Sequence, residues 1–483
     1  MQKTMRGVLS LVAALAITGP VTADTTSTID PSSDRGTWEG WGTSLAWWAK
    51  AFGSRDDLAD IFFTLKSTEY SGKNLPGLGF NIARHNAGAS SYNTYDGTKM
   101  VVSPNIKKSR QVDGHWLDWG STDPSSSSWD WSVDANQRAM LQKARDRGAN
   151  HLELFSNSPM WWMCKNKNPS GASDGGENIQ SWNLGDHALY MATIAEYAKN
   201  NWDINFESVE PFNEPIADWW KADGTQEGSH VSVATQATII NNLRTELDNR
   251  GLTSTIISAS DESLYDQAVS TFRGLGDTAL GKVKRINVHG YQYGGGSRDG
   301  LYGDVSGKGK KLWNSEYGEG DGTGEELVSN LLLDFRWLRP TAWVYWQVID
   351  GSGWGLIQGD NDAGSLSTVN DKYYVLAQFT RHIREGMTIL DGGGGNVVAA
   401  YDAENKKLII VAVNWDSAQT ISFDLSGFSQ PSEDGAKVTR WVTQIGSGDK
   451  YVEYSDVTVS GKTVSARFES KAVQTFEIPS VVL

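Results

Sequence analysis

The sequence predicts an α/β fold, an eight-stranded (β/α)8 TIM barrel with a flanking antiparallel β-sandwich. Apolar strand-like runs alternate with helix-like runs from Trp38 to Arg384, the pattern of a parallel sheet wrapped in helices. Eight such strands can be counted, which suits closure into a barrel. After Thr388 the texture changes to short alternating strands separated by turn residues, as in a sandwich. The 483 residues leave room for a barrel of about 250 residues or more and one smaller domain.

Met1-Gln2-Lys3-Thr4-Met5-Arg6, an apolar run from Val8 to Ile17 and Val21-Thr22-Ala23 read as a signal peptide over residues 1–23. The apolar run is shorter than the about 20 residues of a membrane span. Residues 24–37 are polar and Ser/Thr-rich, and form a loop or a strand lent to the sandwich. The barrel is expected over 38–387, with strands at 38–42, 79–84, 151–155, 207–212, 255–260, 284–289, 311–315 and 341–347. Helices are expected at 133–147, 186–199, 231–249, 325–338 and 372–384. The first carries Lys and Arg in its last turns, and Gly251 closes the third. Residues 297–309 are Gly-rich and show no clear helix. The sandwich is expected over 388–483, opening with a linker or wide turn at Asp391-Gly392-Gly393-Gly394-Gly395. Its strands fall at 396–401, 407–413, 420–425, 438–443, 457–459, 465–469 and 473–478.

The formal net charge is −15, and removal of Lys3 and Arg6 with the leader lowers it by two. So acidic a surface repels nucleic acid and anionic membranes, which excludes both as expected partners. Cys164 is the single cysteine, so an intramolecular disulfide is impossible. Among Trp161, Trp162 and Met163 it is expected to be a buried, inert thiol. There is no Asn-x-Ser/Thr sequon. The compositional outlier is Trp, with 21 residues. An indole suits stacking on the C–H faces of sugar rings, although most of these residues are expected in the core.

Two carboxylates stand at strand ends. In Lys311-Leu312-Trp313-Asn314-Ser315-Glu316-Tyr317-Gly318 an apolar strand runs into a Gly-rich turn at Glu316. In Glu210-Pro211-Phe212-Asn213-Glu214-Pro215, Pro215 forbids an ordinary strand from continuing, so Glu214 also ends an element. Glu214 follows strand four and Glu316 strand seven, three units of about 30 or more residues apart. Both therefore fall on the C-terminal rim, where barrel enzymes keep their chemistry. A carboxylate pair presented this way is what glycoside hydrolysis needs.

On these residues the chain resembles glycoside hydrolase family 30, over essentially the whole mature sequence. Asn213-Glu214-Pro215 is similar to the family's acid/base signature and Ser315-Glu316-Tyr317-Gly318 to its nucleophile loop. Trp41-Gly42-Thr43-Ser44-Leu45-Ala46-Trp47-Trp48-Ala49 resembles the first-strand motif of the endo-β-1,6-galactanases in that family. The resemblance implies a retaining mechanism, with an ionised Glu316 as nucleophile and Glu214, its pKa raised, as general acid/base. It implies that Arg84 reaches the sugar or orients the nucleophile, with a structural ion pair as the alternative. Asn213 would hydrogen-bond a ring hydroxyl, and His289 and Tyr291 would face the nucleophile. Trp161, Trp346 and Trp47 would form the aromatic wall of the subsite.

Asp261, Glu262 and Glu319 read as exposed loop acids, with a place in the outer subsites as the alternative. Asp350, Asp360 and Asp362 lie in Gly-rich loops at spacings that fit no calcium loop, so no metal and no cofactor are expected. The expectation is a secreted, monomeric endo-glycosidase acting on β-1,6-galactan side chains of arabinogalactan-proteins. The same mechanism on β-1,6-glucan or xylan is the near alternative. A non-catalytic carbohydrate-binding protein is the alternative from another class.

Overall fold

The computed structural model describes residues 24–483; the leader read over residues 1–23 lies outside them. Eight parallel strands close into a barrel: β1 Gly40–Ser44, β2 Ile82–Asn86, β3 His151–Phe155, β4 Ser208–Glu210, β5 Ile256–Glu262, β6 Val283–His289, β7 Lys311–Tyr317 and β8 Ala342–Tyr345. Ser208 of β4 pairs with Ile256 of β5, and Gly40 of β1 with Ala342 of β8, which completes the ring. These strands are buried on both faces, as their near-continuous apolar runs require. Gly42 is set by close approach, since a Cβ there would meet the Ile82 carbonyl at 2.4 Å.

Helices follow the strands and cover the barrel, among them Asp56–Phe63, Ala135–Asp146, Leu184–Tyr197, Val233–Asn249 and Glu325–Leu333. Two elements differ from the sequence expectation. A helix forms at Arg298–Gly307 despite its three glycines, because Leu301 and Val305 are buried and Arg298 pairs with Asp334 at 2.7 Å. Tertiary contact here overrides poor helix propensity. The loop after β8 is not irregular but builds a small sheet of Ile349–Asp350, Ile357–Asp360 and Ser365–Val369 beside the barrel mouth.

Apart from two short hairpins, Thr68–Tyr70 with Lys73–Leu75 and Thr94–Tyr95 with Thr98–Lys99, the remaining strands form a nine-stranded ribbon folded on itself. Val452–Ser460 pairs along most of its length with Lys437–Gln444 but at its end with Thr463–Phe468, so it links the two layers. Between the layers Phe423, Phe468 and Phe476 meet, with ring centroids 5.2 and 6.0 Å apart along the chain of contacts. The sheet is not wholly antiparallel, because Thr25–Thr28 pairs parallel to Gln419–Asp424. That pairing ties the start of the described chain to its end.

The helix Lys372–Thr380 is buried at every residue, since it lies between barrel and sandwich. Gln378 fixes the seam, donating to Thr443 Oγ at 2.8 Å and accepting from Thr475 Oγ. Cys164 is buried, and burial pushes its thiol up to about 12. Among the described residues no helix is long and apolar enough to cross a membrane.

Candidate active site

Three irregularities at the C-terminal ends of the strands aim side chains into the barrel mouth. Register shifts fall between Ser260 and Glu262 in β5, between Val288 and His289 opposite β7, and between Asn314 and Tyr317 opposite β8. In a regular strand neighbouring side chains point to opposite faces. Because His289 pairs with Glu316 and Val288 with Asn314, Ser315 is skipped, and Ser315 and Glu316 both face the site.

Glu316 receives a hydrogen bond from Tyr291 Oη at 2.9 Å and one from Arg84 Nη1 at 3.3 Å. Arg84 is fully buried and does not line the cleft. Its guanidinium is divided among Glu153 at 2.8 Å, Asp261 at 2.5 Å, the Ser315 carbonyl at 3.0 Å and Glu316. It therefore holds Glu316 in place and is itself an ion-pair hub, which joins two roles weighed in the sequence.

Glu214 sits beyond β4 with a backbone φ of +47°, a conformation that costs a residue with a Cβ about 1–3 kcal/mol. Its N–H donates to the Asp261 carbonyl at 2.8 Å, and its own carbonyl accepts from Trp220 Nε1 at 2.9 Å. Its carboxylate lies 3.1 Å from His289 Nδ1, and the same nitrogen is 3.5 Å from Glu316. His289 Nε2 faces Asp261 at 3.1 Å. One imidazole thus stands between both carboxylates, backed by a third.

Asp261 was expected to be an exposed loop acid; it is fully buried. Its carboxylate accepts from Ser315 Oγ and Arg84 and faces His289, while its carbonyl fixes the Glu214 backbone. Burial works against its charge, but Arg84 and His289 outweigh it and hold Asp261 well below the usual carboxylate range. Burial also disfavours charge on His289, yet Glu316 and Asp261 raise it to about 10. For Glu316 burial prevails and pushes it up to about 7, with His289 and Arg84 pulling the other way.

Glu214, His289 and Glu316 offer ligand atoms within 4.8 Å of one another, close enough to gather round a cation. The imidazole that would have to bind it carries a proton up to about pH 10, so metal binding would have to displace that proton. Beyond the rim, Glu262 and Glu319 are also buried, against expectation. Glu262 accepts from Thr271 Oγ at 2.7 Å, and Glu319 pairs with Lys372 at 2.6 Å. Asp350 and Asp360 accept backbone N–H groups of their own loops, and Asp362 accepts from the N–H of the distant Ser109 at 2.8 Å.

Above the carboxylates lies a cleft of about 1000 Å³. Asn213, Tyr291, Trp47 and Trp346 line it, as the sequence reading placed them. The Trp47 and Trp346 rings meet edge to face at 5.2 Å. Asn213 is only 5% exposed, and its Oδ1 and Trp47 Nε1 are buried atoms without a hydrogen-bond partner. Trp161 does not belong to this wall. It is 0% exposed, and its Nε1 donates to Ser91 Oγ at 2.5 Å within the core. The 3-10 turn Trp161–Met163 packs the ring inward, which a Ser-Pro approach alone does not reveal.

Sequence reasoning overlooked Trp219, Tyr293 and Trp354, which also line the cleft. Trp354 stands alone among turn residues in Gly-Ser-Gly-Trp-Gly, the signal that was available. Glu153 and Arg285, which pair at 2.5 Å in the barrel interior, were hidden inside otherwise apolar strands.

A closed parallel barrel with two carboxylates meeting at its C-terminal mouth, under an aromatic cleft, is the apparatus of a glycoside hydrolase. Residues 24–274 match the O-glycosyl hydrolase family 30 profile. An endo-β-1,6-galactanase of Hypocrea rufa is 61% identical over 461 residues, covering 95% of this chain and 96% of that one. In structure, a conserved exported protein from Bacteroides fragilis superposes with a TM-score of 0.76 at 18% identity, over 94% of this chain and 100% of the other. The catalytic domain of a family 30 xylanase C from Talaromyces cellulolyticus does so at 0.69 and 18% identity, over 94% and 99%. The chain belongs to glycoside hydrolase family 30.

Proposed function

We propose that the protein is a secreted, retaining endo-hydrolase of β-1,6-linked galactan, the side chains of arabinogalactan-proteins. The observation that carries the mechanism is the approach of Glu214 and Glu316, with ligand oxygens within 4.8 Å. Retaining enzymes keep the two carboxyl groups about 5–5.5 Å apart, whereas inverting ones need about 6.5–9.5 Å to admit a water. Support for the substrate is the 61% identity to a protein named endo-β-1,6-galactanase.

Glu316 attacks the anomeric carbon as its bond to the leaving oxygen breaks, and Glu214 gives that oxygen its proton. A sugar ester on Glu316 results. Glu214, now ionised, takes a proton from water, whose oxygen displaces Glu316 at the same carbon. Tyr291 and Arg84 hold the attacking carboxylate, and His289 stands beside both acids as charge passes between them. Asn213 and the Trp47–Trp346 corner position the ring.

The test is product analysis on de-arabinosylated arabinogalactan, with β-1,6-glucan and glucuronoxylan in parallel and Glu316→Gln as blank. Short galacto-oligosaccharides from the first polymer alone are expected. Release from another polymer only would keep the mechanism and replace the substrate. No release from any would favour the binding-protein alternative.

A further inference from the structure

A second cleft, of about 410 Å³, lies at the seam of barrel and sandwich and shares no residue with the active-site cleft. Its barrel side is built from chain that precedes β1 and β8 and its sandwich side from Leu390 to Val398, whereas Glu214 and Glu316 follow β4 and close β7. In parallel strands those are opposite ends of the barrel. Arg35 comes from the segment before β1. Arg336, Trp337 and Arg339 come from the turn that ends the helix before β8.

Three guanidinium groups thus meet in a chain where acids outnumber bases 58 to 43. Arg35 pairs with Asp391, and the only other acid lining the cleft is Asp30, which is engaged by Ser32. Arg336 and Arg339 form no ion pair among the described residues. Arg336 lies over the Trp337 ring at 4.9 Å, and Arg339 over Tyr302 at 5.1 Å. Burial and the neighbouring Arg339 and Arg336 charges act together to pull Arg35 below its ordinary value. Cations at a helix C-terminus are favourable in themselves, but that accounts for one charge and not for three crowded together.

We propose that this cleft is a binding site for a carboxylate-bearing saccharide, a glycan chain carrying a uronic acid residue. The planar guanidinium fork matches a carboxylate in a bidentate geometry. Trp337, 43% exposed, supplies the apolar face that a sugar ring uses and a simple inorganic anion does not. A polymer held here leaves the cleft at the other end of the barrel free, so the two sites together raise the local substrate concentration. The assignment goes beyond the galactan reading and is tested by binding alone.

The experiment is affinity electrophoresis of the full chain as Glu316→Gln, in gels containing a glucuronate-bearing arabinogalactan or the same polymer after carboxyl reduction. The acidic polymer is expected to retard the protein more than the reduced one. R336Q/R339Q added to it should weaken that binding about tenfold, the size of one lost charge-assisted contact. Trp337→Ala should weaken it several-fold, and thermal melts should coincide with the parent. If the double variant melts early, Arg336→Gln alone, at an exposed position, takes its place with the same expected direction. Equal retardation by both polymers, or unchanged binding in the Arg and Trp variants, overturns the proposal. So does displacement by inorganic phosphate as effective as by free glucuronate at matched ionic strength.

Discussion

The interior of the barrel and the interior of the sandwich are filled by opposite means. Inside the barrel Arg84, Glu153, Asp261, Arg285 and His289 are all buried and joined in one charged network. Inside the sandwich the core is apolar, with Ile410, Phe423, Phe468 and Phe476 fully buried. A buried ion pair rarely stabilises a fold more than apolar packing of the same volume would. The barrel thus carries charge for what happens at its mouth, and the sandwich gains its stability from burial. Substitutions in the two regions should therefore separate activity from stability.

The largest effect is expected from Glu316→Gln. Turnover should fall more than about 10⁴-fold, as when a nucleophile is removed. The melting temperature should hold or rise, because a buried acid becomes neutral at nearly constant shape. A melting temperature several degrees lower would mean that this carboxylate also braces the barrel.

Asp261→Asn strikes both properties. Losing the charge that compensates Arg84 and His289 should destabilise the protein by about 3–5 kcal/mol, read by equilibrium unfolding. It should also lower the His289 pKa from about 10, read by NMR titration of the imidazole. An unmoved titration would reduce Asp261 to a structural role.

Phe476→Ala is the counterpart in the sandwich. A loss of about 3–5 kcal/mol in unfolding is expected with kcat per folded molecule unchanged. A changed kcat would show that the seam at Gln378 transmits strain to the site.

The last comparison is in pH. Burial pushes Glu227 and Asp134 up to about 8, so each favours the folded state fully below its unfolded pKa of about 4. That contribution is lost as pH rises toward about 8. Melting temperatures should therefore fall between about pH 5 and pH 8, and Glu227→Gln should flatten the slope. A slope unchanged in that variant would assign it to other groups.

Much of the architecture was legible. The alternation of runs from Trp38 to Arg384 located all eight barrel strands, and 151–155 matches β3 residue for residue. Arg298–Gly307 was missed because its stabilising partner, Asp334, is distant in sequence. Of the site, Glu214, Glu316, Asn213, His289, Tyr291, Trp47 and Trp346 converge. Trp161 does not, since no local pattern tells which side of a turn an indole packs on. Asp261 was misread because two adjacent acids after an apolar strand look like a solvated loop. The bulge after Ser260 turns one of them inward.

By itself the sequence determined the strand and helix periodicities, the chain breaks at Pro215 and Gly318, and hence which two carboxylates end strands four and seven. Those are local properties, set by side-chain pattern and backbone restriction. The tertiary structure alone decided that Glu214, Glu316, His289 and Asp261 share one desolvated cluster, and what charge each carries there. Proton affinities depend on burial and on neighbours brought from five different strands and their loops, and no single stretch of chain contains them.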